Sequence, residues 1–162
     1  MKCLFAVLLA LLMLSCKKEG GTQNAGSIYP EQAVGMDNNG KYTIADEKAL
    51  ATAWEAKVEG KAKLTAFEIV KGTTEGDVAE DFYMLVARTE DGTAKVASLL
   101  ELRGNKFYFG SEDHKGSESY LLVICRGECD GGCLPAVRKK DGVKHLICSS
   151  CADCEKNEIE TH

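Results

Sequence analysis

Phe82-Tyr83-Met84-Leu85-Val86-Ala87 is the stretch that decides the fold of this chain. Apolar residues occupy both alternating sets of positions, which is typical of a central strand covered on both faces. Asp91-Gly92 follows shortly after, and this pair is a strong signal for a two-residue hairpin turn. Because a tight hairpin joins antiparallel neighbours, the stretch predicts the middle of an antiparallel sheet.

Further strands are predicted on both sides of this stretch. Before it, Phe67 and Ile69 fall on one face of an alternating segment, and after it Gly104-Asn105 gives a second turn signal. The predicted strands are residues 64–71, 82–87, 93–102, 106–109 and 120–125, the last of them closing the sheet. Tight turns between consecutive strands predict a meander of four to five strands.

One amphipathic helix is predicted ahead of the sheet, over residues 46–58. Its apolar residues recur at three- and four-residue spacing, with Asp46 as the N-cap and Gly60 as the stop. Trp54 lies on the apolar stripe and is predicted to be a core residue. The fold class is therefore α+β: an antiparallel meander sheet packed on one helix in two layers, followed by a cysteine-rich tail stapled by disulfides.

The N-terminus has the parts of an export signal. Lys2 precedes an apolar run from Leu4 to Leu14 that is too short to span a bilayer, and the run ends in Met13-Leu14-Ser15-Cys16. This segment resembles the lipobox of bacterial lipoproteins, the substrates of signal peptidase II. The resemblance implies that Cys16 becomes the first mature residue and carries a diacylglycerol, usually with an N-acyl chain, which anchors the protein to the membrane.

The domain organisation follows from this assignment. We predict a signal peptide over residues 1–15, a lipidated tether over 16–28, an α+β domain over 29–124 and a cysteine-rich C-terminal lobe over 125–162. The tether is rich in Gly, Ser and Asn, which is typical of a flexible linker. Lys17-Lys18-Glu19 resembles the sorting signals of Bacteroidota lipoproteins, which implies an outer-membrane location in the cell envelope.

The charge of the chain disfavours nucleic acid as a partner. The formal net charge is −5, and it becomes −6 once Lys2 is removed with the signal. The chain contains no long basic run, so a phosphate-rich partner is not predicted. The predicted partners are the membrane, through the lipid on Cys16, and a protein or small ligand.

Six of the eight cysteines remain after Cys3 is discarded and Cys16 is acylated. They are Cys125, Cys129, Cys133, Cys148, Cys151 and Cys154. An even number of clustered cysteines in an exported chain predicts a disulfide framework. The Asp141-Gly142 turn folds residues 137–140 onto 143–146, which brings Cys133 towards residues 148–151 and predicts a bridge there. The other pairings stay open.

A metal site and a redox site are the alternatives for these cysteines. Cys129, Cys133, Cys148 and Cys151 have the spacing of four zinc ligands, although a metal is not our prediction for an oxidising compartment. Cys148-Ser149-Ser150-Cys151 and Cys151-Ala152-Asp153-Cys154 have the spacing of redox pairs, but no helix is predicted after them.

No catalytic residue and no cofactor are predicted from the remaining motifs. Asp37-Asn38-Asn39-Gly40 begins like a calcium loop but is interpreted as a turn, and His114 and His145 are interpreted as surface residues. Two functional classes stay open. The first is a tethered binding or structural lipoprotein; the second is a redox-active or zinc-handling envelope protein that uses the C-terminal cysteines.

Overall fold

The computed structural model describes residues 31–76, 78–110, 119–129 and 132–161. The predicted signal, tether and lipidated Cys16 lie outside these residues, as does His114. The elements are β1 Gly35–Asn38, β2 Lys41–Ile44, α1 Glu47–Glu55, β3 Leu64–Thr73, β4 Glu75–Gly76, β5 Asp81–Thr89, β6 Ala94–Arg103, β7 Lys106–Phe109, β8 Tyr120–Arg126, β9 Pro135–Lys140, β10 Val143–Cys148 and β11 Glu155–Thr161. No helix among the described residues has the length and apolar character needed to cross a membrane.

Strand β6 is the centre of the main sheet. One of its edges pairs with β5, and β3 lies beyond β5. Its other edge is shared, since Ala94 to Ala97 pair with β8 and Leu100 to Arg103 pair with β7. β11 pairs with β8, and β1 and β2 continue the sheet beyond β7. All of these pairs are antiparallel, so the predicted antiparallel sheet with one helix is confirmed.

The predicted number of strands is wrong, and the strand predicted over residues 120–125 is present as β8 but is not the last one. Within the described residues the main sheet has eight strands instead of four to five, because β1, β2 and β11 also belong to it. β1 and β2 have four residues each, too few for a clear alternation, and β11 carries only Ile159 as a large apolar residue. The meander also stops at β7, since β8 returns to pair with β6.

The helix packs on one face of the main sheet. Asp46 caps it as predicted, because the Asp46 carboxylate accepts a hydrogen bond of 2.9 Å from the Ala49 N–H. The predicted end is wrong: α1 ends at Glu55, and Gly60 lies in a short 3-10 turn that follows it. Trp54 is fully buried, and its ring centroid is 5.6 Å from that of Phe67, so its assignment to the core is confirmed.

A second sheet covers the opposite face of the main sheet. β9 and β10 form the predicted hairpin, with Val143 opposite Lys140 and Leu146 opposite Val137, and β4 adds a parallel strand beside β9. The buried residues between the sheets are Phe82, Met84, Val86, Ala97, Leu99, Val123, Cys125, Cys133, Val137 and Leu146. Leu85 and Ala87 point to the helix side instead. Each face of β5 therefore has its own core, as the sequence of this strand requires.

Charged side chains help to hold the hairpin against the main sheet. Glu80 is paired with Lys139 and also lies 3.7 Å from the ammonium of Lys144. The hydrogen bond from Lys139 holds the pKa of Glu80 below its ordinary value of 4.5, and the positive charges of both lysines act in the same direction. The ionised form of Glu80 is therefore favoured in the folded protein.

We expect Glu80→Gln to lower the urea midpoint of unfolding at about pH 7 and to leave it unchanged at about pH 2. A carboxylate whose folded pKa is lowered stabilises the protein above its ordinary pKa, and the contribution is lost as the pH falls through the lowered value. Glu59→Gln, at an exposed position, is the matched control. Equal effects of Glu80→Gln at both pH values would contradict the ion-pair assignment.

Candidate functional site

The six C-terminal cysteines form three disulfide bridges. Their Cα atoms are 5.5 Å apart in Cys125–Cys148, 6.3 Å in Cys129–Cys151 and 5.3 Å in Cys133–Cys154. These distances are usual for disulfides, so the predicted framework is confirmed. The first cysteine of one segment pairs with the first of the other, the second with the second and the third with the third. The two cysteine segments therefore run side by side in the same direction.

Strands position the cysteines of the first bridge, Cys125–Cys148, and of the last, Cys133–Cys154. Cys125 is the penultimate residue of β8, and Cys148 is the last residue of β10. The β9–β10 hairpin carries Cys148 back to the level of Pro135, next to the point at which the chain leaves β8. β11 then pairs with β8 along its whole length, with Lys156 opposite Cys125. The cysteine segments are thus tied to the main sheet at both ends.

The predicted bridge from Cys133 to residues 148–151 is wrong, because Cys133 pairs with Cys154. The hairpin register itself is as predicted, but the pairing of β9 with β10 ends at Pro135. Beyond it, the Leu134 N–H donates to the Ser149 hydroxyl at 3.0 Å, and the Ser149 N–H donates to the Leu134 carbonyl at 2.8 Å. Cys148 is meanwhile occupied by Cys125, which leaves the later Cys154 for Cys133.

Close backbone contact fixes the two cysteine segments against each other. A Cβ atom at Gly127 would overlap the carbonyl oxygen of Asp153. Only glycine therefore lets the chain leaving β8 approach the segment that carries Cys151 and Cys154. The Gly132 N–H also donates to the Cys129 carbonyl at 2.7 Å, which holds Gly132 close to Cys129.

The three bridges differ in their exposure. Cys125 is 0% exposed and Cys133 is 4% exposed, so both belong to the core between the two sheets. Their partners Cys148 and Cys154 are only partly buried, and so are both sulfurs of the Cys129–Cys151 bridge. Two bridges therefore join a buried cysteine to a partly buried one, whereas both cysteines of the third are partly buried.

The sulfur atoms of Cys125, Cys133 and Cys148 all lie within 4.8 Å of one another, and we call them the sulfur cluster. Cys129, Cys133, Cys148 and Cys151 have the spacing of four zinc ligands, but only Cys133 and Cys148 of those four belong to this cluster. Cys129 and Cys151 are bridged to each other instead. Each sulfur of the cluster is held in a disulfide, so none is a thiolate ligand in this oxidised form.

Neither of the two-spaced cysteine pairs forms its own bridge. Cys148 is bridged to Cys125, Cys151 to Cys129 and Cys154 to Cys133. Residues 149 and 150 are followed by a turn and by β11, without the helix that lowers a thiol pKa in redox pairs of this spacing. The structure thus does not assemble the dithiol arrangement that the sequence spacing suggested.

Lys95 and Ser149 are polar neighbours of the bridges that the sequence analysis did not identify. The Lys95 ammonium lies 3.5 Å from the position that a Cβ would take at Gly132, next to Cys133 in the chain. Burial lowers the pKa of Lys95, and the nearby charge of Arg88 lowers it further. The Ser149 hydroxyl is 3.9 Å from the Cys154 sulfur. Lys95 lies in no motif, and Ser149 lies inside the Cys148-Ser149-Ser150-Cys151 spacing without being a candidate itself, so the register of β6 and the end of β10 place them here.

The other sequence candidates lie apart from the cysteines. Residues 37–40 form the predicted turn, in which the Gly40 N–H donates to the Asp37 carboxylate at 2.6 Å. His145 lies in β10 opposite Arg138 and is partly buried. Comparison of the chain with protein-family models, with curated proteins and with solved structures gave no match. The assignment of a site therefore rests on geometry, which singles out the cysteine bridges.

Proposed function

We propose that this protein is an exported lipoprotein, anchored to the outer membrane by a diacylglycerol on Cys16, whose disulfide-stapled domain binds a partner. The observation that carries the proposal is the pairing of all six C-terminal cysteines in three bridges. Structural disulfides form and persist in oxidising compartments, which is where an export signal would deliver the chain. The lipobox resemblance and the bridges thus support the same location by independent routes.

A binding role agrees with the state of the sulfur atoms. In the oxidised form each C-terminal cysteine is bonded to another cysteine, and a disulfide sulfur is neither a thiolate nucleophile nor a metal ligand. The bridges join two segments that otherwise have few strand hydrogen bonds, so they give a rigid surface at one end of the sheet. Such a rigid surface suits recognition of a protein or a small ligand by the domain that the tether carries.

We expect Cys16→Ser to abolish fatty-acid labelling of the protein and to release it from the membrane fraction, because no other side chain can receive the thioether-linked lipid. The measurement is fractionation of cells grown with a labelled fatty acid. Cys3→Ser is the matched control, since Cys3 lies within the predicted signal and its loss should leave labelling intact. Labelled Cys16→Ser protein in the membrane fraction would refute the anchor.

A further inference from the structure

Two of the three bridges are close enough to exchange with each other. The Cys133 sulfur, which is bonded to Cys154, lies within 4.8 Å of both sulfurs of the Cys125–Cys148 bridge. Thiol–disulfide exchange requires a thiolate to reach a disulfide sulfur, and its rate depends on access. A thiolate formed at Cys133 therefore has a disulfide within reach of a small side-chain movement. Cys129 and Cys151 do not belong to this group.

In the Cys133–Cys154 bridge an outer cysteine is joined to an inner one. Cys154 is partly exposed, Cys133 is 4% exposed and Cys125 is 0% exposed. Cys148 is also only partly buried, so an external thiol can reach each bridge at its outer sulfur, Cys154 or Cys148, but not at Cys133 or Cys125. Cleavage of the bridge at Cys154 leaves the new thiolate on Cys133, which is the inner sulfur next to the second bridge. The Lys95 ammonium beside Gly132 places a positive charge near the residue on which that negative charge forms.

We propose that Cys133–Cys154 and Cys125–Cys148 form a thiol–disulfide relay that takes an electron pair from an external dithiol and delivers it to the Cys125–Cys148 bridge. The proposal adds a chemical activity to the domain and does not depend on the lipid anchor. The reaction partner is a dithiol, small or carried by a protein, whose two sulfurs can reach the surface at Cys154.

The steps of the relay balance without any other reactant. One thiolate of the dithiol attacks the Cys154 sulfur, forming a mixed disulfide and breaking the bond to Cys133, which leaves as a thiolate. The Cys133 thiolate attacks the Cys148 sulfur, and Cys125 leaves as a thiolate that takes up a proton. The second thiol of the dithiol attacks its own mixed-disulfide sulfur, which releases Cys154 and the oxidised dithiol.

A last internal step restores the outer bridge. The Cys154 thiolate attacks the Cys133 sulfur of the new Cys133–Cys148 bond, which reforms Cys133–Cys154 and frees Cys148. The net result is one dithiol oxidised to a disulfide and one protein disulfide, Cys125–Cys148, reduced to two thiols. Every step is an exchange at a sulfur of the cluster or at Cys154, and the Cys129–Cys151 bridge takes no part.

The first test is thiol migration in the full-length Cys154→Ser protein, purified in detergent. This variant leaves Cys133 without its partner, and the relay predicts that the free thiol moves to Cys125 or Cys148. The protein is quenched in acid, labelled with a thiol reagent and mapped by peptide mass. The expected result is label on Cys125 or Cys148 with the Cys129–Cys151 bridge intact, at a proportion that does not change on dilution. Cys151→Ser is the matched control, because its free Cys129 lies outside the sulfur cluster and should keep the label.

Label confined to Cys133 would overturn the relay, and label spread over all remaining cysteines would overturn it by showing general scrambling.

The second test is the rate at which dithiothreitol reduces Cys125–Cys148. We expect the double variant Cys133→Ser, Cys154→Ser to slow this reduction by about tenfold, because the Cys133 thiolate that attacks the Cys148 sulfur is lost. If the two substitutions only loosened the structure, dithiothreitol would reduce Cys125–Cys148 faster instead. The double variant Cys129→Ser, Cys151→Ser should leave the rate unchanged, and an unchanged or faster rate in the first double variant would reject the proposal.

Discussion

Leu85→Ala should lower the free energy of unfolding by about 2–5 kcal/mol, the usual cost of removing a buried leucine side chain. Leu85 is 0% exposed in the middle of β5 and contributes to the core between the helix and the main sheet. It lies opposite Ile69 of β3 and Ser98 of β6, so strands on both sides hold the backbone in place. The cavity left by alanine can therefore collapse only partly, which keeps the cost high.

Urea unfolding of the full-length protein measures this effect through the midpoint and the slope. Leu134→Ala is the matched control, because it is the same substitution at a leucine that is 41% exposed. We expect the control to change the midpoint little. A Leu85→Ala midpoint equal to that of the unaltered protein would contradict the place of β5 in the core between the helix and the main sheet.

Reduction of the three bridges is the second large effect, and it should destabilise the whole domain. The bridges close loops with sequence separations of 23, 22 and 21 residues. In the chain-entropy model the first such bridge is worth about 3 kcal/mol, and each later one is worth less because the loop is already shortened. A domain of this size has a total stability of about 5–15 kcal/mol, so the combined loss is a large part of it.

The damage is expected to reach the main sheet because Cys125 and Cys133 belong to the same core as Phe82 and Met84. Loss of the bridges frees the β9–β10 hairpin from that face and exposes the apolar side of β5. The measurement is urea unfolding with and without reductant, together with the intact mass. The non-reduced chain should be lighter by about six hydrogens than the reduced chain, two for each of the three bridges.

Removal of Cys129–Cys151 alone, by serine at both positions, provides an intermediate state for comparison. It deletes the bridge whose two cysteines are both partly exposed, so a smaller loss of stability is expected. Reduction without any change in the unfolding midpoint would contradict the role of the bridges in the fold. Four or more free thiols in the non-reduced protein, or bound zinc that a chelator removes, would favour the zinc-handling alternative.

The centre of the sheet could be predicted from the sequence because its signals are local. The Asp91-Gly92 and Gly104-Asn105 turns fix both hairpins of β6, and in the first of them the Gly92 N–H donates to the Thr89 carbonyl at 2.9 Å. The register of the Asp141-Gly142 hairpin also follows from its turn alone. The residues that favour a turn lie within a few positions of each other, so a single sequence is enough to predict the turn.

The edges of the sheet could not be predicted, because long-range pairing decides them. β11 has mostly charged residues and forms a strand only because β8 offers it a free edge. β3 breaks its alternation at Ala66, where a positive φ of 52° and a register shift between Thr65 and Glu68 put both Leu64 and Phe67 in the core. No sequence pattern predicts such a bulge.

The disulfide pairing of the candidate site also depends on contacts that the sequence does not display. The hairpin placed Cys133 near Cys148, and the two sulfurs do lie within 4.8 Å of each other, but they are not bonded. β8 holds Cys125 under the hairpin, where Cys125 is bonded to Cys148. Proximity along the hairpin thus predicted which cysteines are neighbours, whereas the packing of the hairpin on the main sheet determines which of them are bonded.

Because a ribosome makes the chain from its N-terminus, Cys125, Cys129 and Cys133 emerge before any of their partners. At about 5–20 residues per second, the gap of 21–23 residues lasts on the order of seconds. During that interval the early cysteines can bond only to one another. Hairpin closure takes microseconds once residue 148 has emerged, while oxidation takes seconds or longer. Slow oxidation therefore selects the native pairs, whereas oxidation before residue 148 has emerged would join the early cysteines to one another.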